Sequence, residues 1–198
     1  MRPKDNPFAS HRVESIDYCF LTGSRERLLR SVESPGCRGA IVGPKGHGKT
    51  TLLEELDSAL RKRGHSVRLM RLSESRPRIH TSPAQPGEII LLDGAEQLRL
   101  LEWPAFRWKM RRARTVVITT HSEGRLPTLY RCETTPALLA SLAKRLLGDS
   151  ADVDDEKMRK LFDRHRGDIR EALRELYDAC AISVDVVSRT GVSNQGTG

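Results

Sequence analysis

Gly43-Pro44-Lys45-Gly46-His47-Gly48-Lys49-Thr50 fills every fixed position of G-x-x-x-x-G-K-[ST], and this run decides the fold. Its glycines let the backbone turn tightly, so that successive N–H groups point inward at phosphate oxygens. Lys49 is expected to reach the β- and γ-phosphates of a nucleoside triphosphate, and the Thr50 hydroxyl to complete a magnesium shell. The flanks supply the setting such a loop requires. Gly39-Ala40-Ile41-Val42 reads as a short buried strand before it, and Thr51 to Leu60 carries apolar residues at 52, 53, 56 and 60, which is helical spacing. Strand, glycine loop and helix follow in that order. The phosphates are thus expected among Gly43, Pro44, Lys45, Gly46, His47, Gly48, Lys49, Thr50 and Thr51, with His47 exposed rather than catalytic.

Working outward, 198 residues suffice for one domain with a small appendage. At 37% hydrophobic and 30% charged, the chain can pack a core beneath a heavily ionic surface. Its net charge of +8, supplied mostly by arginine, suits DNA or another polyanion as a partner, although the nucleotide also needs positive charge. Cys19, Cys37, Cys132 and Cys180 show neither C-x-x-C nor zinc spacing and read as reduced, mostly buried thiols. No apolar run approaches membrane length and no signal-peptide core is present, so a soluble, cytoplasmic protein is expected.

Further strands are expected at Ser66–Leu72, which alternates, at Ile89–Leu92, which is continuously apolar, at Thr115–Thr120 and around Leu129–Cys132. Ser24 to Val32 reads as a helix, and Asn6-Pro7-Phe8 as an extended entry segment. Residues 73–87 carry Pro77, Pro83 and Pro86 and read as a loop. Strands alternating with helices predict a three-layer α/β architecture, a parallel sheet covered on both faces. After 134 the pattern is helical only. Pro136–Leu147 and Asp154–His165 form two helices, and Asp168 starts a third, with Glu171 three residues on in a capping-box arrangement. The expected organisation is an N-terminal extended segment at 1–22, an α/β core at 23–133, a helical lid at 134–182 and a disordered tail at 183–198.

Asp93 closes the run Ile89–Leu92, where a magnesium-associated carboxylate sits beside a phosphate loop; capping the next turn is the plainer reading. Glu96 reads equally as a base facing the γ-phosphate or as a first-turn glutamate favoured by a helix dipole. His121 and Thr120 follow the fourth strand and either sense phosphate or merely end the strand. In Trp103-Pro104-Ala105-Phe106-Arg107-Trp108-Lys109-Met110-Arg111-Arg112-Ala113-Arg114, basic side chains interleaved with aromatics could grip phosphates and stack bases; the favoured reading is a helix begun by Pro104, aromatics inward and arginines outward.

These residues resemble the AAA+ branch of P-loop ATPases over roughly residues 20–182. The resemblance rests on the Walker A run Gly43–Thr50, a Walker B-like run Ile89–Asp93 with Glu96, and Gly167-Asp168-Ile169-Arg170-Glu171-Ala172-Leu173. This last run looks like the lid-helix signature of clamp loaders and origin-recognition ATPases. The resemblance implies ATP rather than GTP, with Mg2+, an α/β core followed by a small helical lid, and Arg170 as a second sensor of the γ-phosphate. It places His121 near the first sensor, with Thr120 competing, and Ser24-Arg25-Glu26 near adenine. It allows a homo-oligomer or a partner ATPase, with Arg131 or Arg125 as candidates for an arginine finger. Departures from the pattern are a Walker B glutamate displaced to position 96, a loop where a helix usually joins the second and third strands, and no DNA-binding domain after the lid.

The reading is therefore an ATP-binding, ATP-hydrolysing protein in which Lys49, Glu96, His121 and Arg170 act on the phosphates, while Thr50 and Asp93 hold magnesium. The alternatives are a small-molecule kinase closing on its acceptor with Arg76 and Arg78, and a nucleotide-dependent adaptor that does not hydrolyse.

Overall fold

A computed structural model describes residues 6–73, 75, 81–148 and 153–190, with side chains through Ala181. Strands β1 (Arg38–Val42), β2 (Val67–Arg71), β3 (Ile89–Asp93), β4 (Thr115–Thr120) and β5 (Thr128–Arg131) form one sheet in the order β2-β3-β4-β1-β5. Every pairing is parallel, so each crossover must leave the sheet, and helices cover both faces.

The run Ile89-Ile90-Leu91-Leu92 shows why. Ile89 and Leu91 join one apolar cluster with Ile41 and Val117, while Ile90 and Leu92 join another with Ala40, Val42 and Ile118. A strand buried on both faces has no polar side to alternate with. The first cluster is closed by α2 (Arg25–Glu33) and α3 (Lys49–Lys62), through Leu28, Leu29 and Val32 and through Leu52, Leu53, Leu56 and Leu60. Each such side chain contributes roughly 1.5–3 kcal/mol of burial. The second cluster is closed by α4 (Glu102–Lys109), through Phe106 and the following Met110.

The chain divides into two compact units, 17–133 and 1–16 with 134–198. The expected N-terminal segment is therefore split. Tyr18 and Phe20 pack on the sheet's cluster, whereas Phe8 is buried among lid residues Leu139, Leu146 and Leu173. Asn6 anchors that end: its amide donates to the Tyr177 carbonyl (2.9 Å) and its side-chain oxygen accepts from the Phe8 N–H (2.9 Å). A short helix, α1 (Ser10–Val13), stands where an extended entry was expected.

In the helical unit, α5 (Pro136–Leu147) begins with Thr135 accepting from the Leu138 N–H (3.1 Å), and α6 (Asp155–Arg164) with Asp154 accepting from the N–H groups of Glu156 and Lys157. Helix α7 (Ile169–Thr190) starts with Asp168 accepting from the Glu171 N–H (3.0 Å). The capping box is one-sided: the Asp168 N–H goes to the His165 carbonyl instead (3.0 Å). The backbone of α7 continues past the expected boundary at 182, because no glycine or proline interrupts the sequence between Gly167 and Gly191. Residues 191–198 and the middle of the expected 73–87 loop lie outside the described residues; its described part forms no helix.

One glycine fixes the end of β3. Gly94 has φ +78°, and a Cβ there would stand 2.6 Å from the Leu72 carbonyl oxygen; Gly36, at φ +80°, has open space around it. Both positions strain an L-residue, but only Gly94 adds a backbone collision. Gly94→Ala is therefore expected to destabilise the chain by about 1 kcal/mol or more beyond Gly36→Ala in urea unfolding. Equal losses would show that the collision is absorbed.

Candidate functional site

Strand β1 ends at Val42, the chain turns through residues 43–48, and α3 begins at Lys49. Gly46 and Gly48 take φ +74° and +78°, which side-chain-bearing residues adopt only at a cost. The turn is held between two neighbours. A Cβ on Gly43 would lie 2.7 Å from the Cys132 carbonyl oxygen, and one on Gly48 would lie 2.9 Å from the Tyr18 ring. The Gly43 N–H donates to the Thr120 carbonyl (3.2 Å). Lys49 is 8% exposed, and its ammonium donates to the Pro44 carbonyl (2.7 Å), so the cation sits inside the loop. Pro44 and Lys45 are exposed at its tip, and Thr51 is half-buried on α3. His47, expected to be exposed, is half-buried with Nδ1 3.3 Å from the Cys132 carbonyl oxygen, because the turn folds its ring back toward the end of β5.

Behind the loop, burial pushes the Cys132 thiol up to about 11, against the opposing effects of a Tyr18 hydrogen bond and the Lys49 charge. Burial likewise raises the Tyr18 phenol. Tyr18 meets Phe20 and Tyr130 edge to face at 5.0 and 6.0 Å, and its N–H donates to Glu55 on α3. This aromatic support was not legible in sequence: Tyr18 and Phe20 meet Tyr130 from more than a hundred residues away and follow no motif.

The two separated motifs meet at Asp93. The Thr50 hydroxyl donates to Asp93 Oδ2 (2.9 Å), and the Thr119 hydroxyl donates to Asp93 Oδ1 (2.6 Å). Thr119 also accepts from the Gly94 N–H (2.8 Å) and is fully buried. Both carboxylate oxygens are thereby oriented, one toward the loop threonine. This donor set, a hydroxyl and a carboxylate at the mouth of a phosphate loop, fits Mg2+. Thr119 belongs to none of the motifs that single out the other site residues. The signal for it was the pairing Leu92↔Ile118, which sets the next residues, Asp93 and Thr119, side by side.

Strand alternation also separates the two first-sensor candidates. Thr120 is buried and its hydroxyl donates to the Ser122 carbonyl (3.1 Å), away from Asp93. His121 instead brings Nε2 to 3.2 Å from Glu96 Oε1. Glu96 lies on a single 310 turn, Ala95–Gln97, rather than on a full helix. Its other oxygen, Oε2, is buried and has no hydrogen-bond partner among the described residues. Glu96 thus presents one oxygen to histidine and holds the second without a partner among the described residues.

Arg170 is exposed on the first turn of α7. Arg125 is committed within the chain, donating to the Leu98 carbonyl (2.8 Å) with its guanidinium 5.2 Å from the Trp103 ring centre. Arg131 is exposed and pairs with Glu123. Ser24 caps α2, while Arg25 pairs with Glu55 (2.5 Å) and Glu26 with Arg63 (2.9 Å), tying α2 to α3. Arg76 and Arg78, on which a kinase reading relied, lie outside the described residues. In the 103–114 stretch, Trp103 and Phe106 stack at 5.7 Å, with Phe106 buried. Trp108 departs from the expected inward arrangement of aromatics and stands 60% exposed, since the buried face of α4 is already filled by Phe106 and Met110.

Replacing Thr119 by valine keeps its shape but removes Asp93's donor and Gly94's acceptor. Calorimetry is expected to show Mg·ATP affinity falling roughly tenfold, with Mg-free nucleotide affinity changing less and Thr119→Ser restoring most of the loss. An equal loss with and without magnesium would make Thr119 merely structural.

No protein-family model matches the chain, and no curated protein matches it. Solved structures do. The chain is similar to RuvB of Thermotoga maritima at 20% identity, covering 81% of this chain and 60% of that one with a TM-score of 0.52. It is similar to Drosophila ORC bound to DNA at 15% identity, covering 94% and 63%, TM-score 0.60, and to Cdc6p of Pyrobaculum aerophilum at 16%, covering 85% and 64%, TM-score 0.53. It spans less than two thirds of the length of each. All three are AAA+ ATPases. With its phosphate loop, parallel sheet order and helical C-terminal unit, the chain has the AAA+ P-loop ATPase fold.

Proposed function

We propose that this chain binds Mg·ATP in the Gly43–Thr51 loop and hydrolyses it, passing nucleotide state to its helical lid and to a partner. The observation that carries this reading is the Thr50–Asp93 hydrogen bond, which joins side chains 43 residues apart at the mouth of the loop. Bound magnesium would neutralise charge on the phosphate oxygens. The loop N–H groups and Lys49 bind the phosphates, and Thr50 with Asp93 holds the metal's position. Glu96, through its unpaired Oε2, orients and deprotonates the attacking water, while His121 fixes the carboxylate through Oε1. Arg170, by the family resemblance, reads the γ-phosphate from the lid. Loss of that phosphate then alters lid position, a common way for such switches to act.

DNA, or another polyanion, suits the net charge of +8, and the similar Drosophila ORC structure is one bound to DNA. A second copy or a related ATPase would supply an arginine finger in trans, with Arg131, exposed and paired with Glu123, and Arg125, held by the Leu98 carbonyl, as the candidates. A non-hydrolysing adaptor is favoured by one observation, the removal of Glu96 from direct succession to Asp93 onto a short turn.

Turnover and binding separate these readings. The wild-type chain is expected to hydrolyse ATP, faster with added DNA or at higher protein concentration. Glu96→Gln should retain Mg·ATP affinity while turnover falls roughly 10²-fold or more. Lys49→Ala should lose binding. Wild-type binding without turnover under any of these conditions would select the adaptor, and an unchanged Lys49→Ala affinity would dismiss the site.

A further inference from the structure

The outer face of α4 carries side chains that the nucleotide site does not use. Leu100 and Leu101 stand 89% and 86% exposed on the turn into the helix, and Trp108 is exposed near its end. Pro104 and Ala105 are exposed as well, so Leu101, Pro104, Ala105 and Trp108 form an apolar stripe at i, i+3, i+4 and i+7. The inner stripe, with Phe106 and Met110, already packs on the sheet. A surface helix needs one apolar stripe; α4 has two, and the outer one is left exposed among the described residues. Beside it lies a cleft of about 90 Å³ lined by Leu98, Ala105 and Phe106, with Thr81, Glu102 and Lys109 at its polar edge.

Charge defines the occupant. Arg99, Arg107, Arg111 and Arg112 are exposed around the stripe, and none has a carboxylate partner among the described residues. Glu102, the lone acid between residues 99 and 114, is occupied in accepting from the Arg99 N–H (2.9 Å). The Arg111 guanidinium lies 4.3 Å from the Trp108 ring centre and donates to the Trp108 carbonyl (3.0 Å), bracing the exposed indole.

We propose that this face receives an amphipathic, acidic helix of a partner protein, its apolar side chains on the Leu101–Trp108 stripe and in the cleft, its carboxylates on the arginines. Helical spacing of the stripe and a hole beside it match helix-in-groove recognition, and guanidinium forks match carboxylates. A second copy docked two-fold through the same face would set arginine against arginine. Nucleic acid would use the arginines and leave the vicinal leucines uncovered, and a lipid surface has no side chain to fill the cleft. The Leu98 carbonyl, two residues from Glu96, is held by Arg125, so an occupant at the cleft bears on the Glu96 turn.

The test uses the full chain without nucleotide, so that it stands apart from the proposed ATPase activity. The probe is a synthetic helix of roughly five turns, with leucines on one face and glutamates on the other. Its counterpart carries lysine for glutamate. Titration followed by tryptophan fluorescence and calorimetry is expected to show the acidic helix binding roughly tenfold or more tightly than the basic one. The double variant Leu101→Ser, Trp108→Ser should lose that binding about tenfold while its Mg·ATP affinity stays unchanged, and Arg107→Ser with Arg111→Ser should abolish the preference. No binding of the acidic helix, equal binding of the two helices, or retention by the double variant would overturn the proposal. So would tighter, Leu101-dependent binding of oligothymidylate or of phosphatidylglycerol vesicles, which would assign the face to nucleic acid or to lipid.

Discussion

A carboxylate placed at the edge of an apolar sheet has to be held by something, and here two threonine hydroxyls do it. Asp93 ends a strand whose preceding residues are fully buried, so its side chain emerges from the core with little water to orient it. Thr119 donates to one oxygen from the neighbouring strand, and Thr50 donates to the other from the start of α3. Bonds of this charge-assisted kind contribute roughly 1.5–3 kcal/mol each, and leaving such a carboxylate unpaired costs more than a neutral group would. The chain Thr119–Asp93–Thr50 therefore couples sheet register to the position of the phosphate loop. A shift of one residue in β3 or β4 would turn either side chain to the opposite face.

Constraints around that chain all act on backbone. Gly94 must adopt positive φ against the Leu72 carbonyl, and its N–H is taken by Thr119, which launches the 310 turn that carries Glu96. On the other side, Gly43 and Gly48 admit Cys132 and Tyr18 at distances no Cβ would tolerate. The loop is thus shaped between a strand end and an aromatic cluster by the protein's own contacts. Pre-shaping of this sort lowers the ordering cost of binding. The His121 ring orients the Glu96 carboxylate on its short turn.

Much of this was legible in the chain because local physics and the tertiary outcome agree. The glycine loop, the leucine spacing of α3 and the unbroken Ile89–Leu92 run each permit one arrangement, and the strands formed within a residue or two of expectation. Legibility failed where a role depends on contacts across the sequence. Thr119 looks like any strand threonine until β3 and β4 are paired in register. Tyr18 and Cys132 carry no motif, and their meeting depends on β5 lying beside β1. Phe8 was read as entry chain, but an apolar ring near a terminus packs wherever a core has room, here among the lid helices. The backbone of α7 runs on to Thr190, past 182, through a stretch without glycine or proline. Trp108 was assigned inward because aromatics usually are, and only the filled inner face of α4 shows why it is not.

On the proposed reading, Thr50 and Asp93, brought together by folding, make a divalent-cation position that forms with nucleotide. Manganese can report on it directly as a paramagnetic substitute for magnesium. Electron paramagnetic resonance of Mn2+ titrated into the protein with ATP should show bound metal that depends on nucleotide and is lost in Asp93→Asn and in Thr50→Val. Nucleotide-independent manganese binding, or binding untouched by both substitutions, would contradict the account.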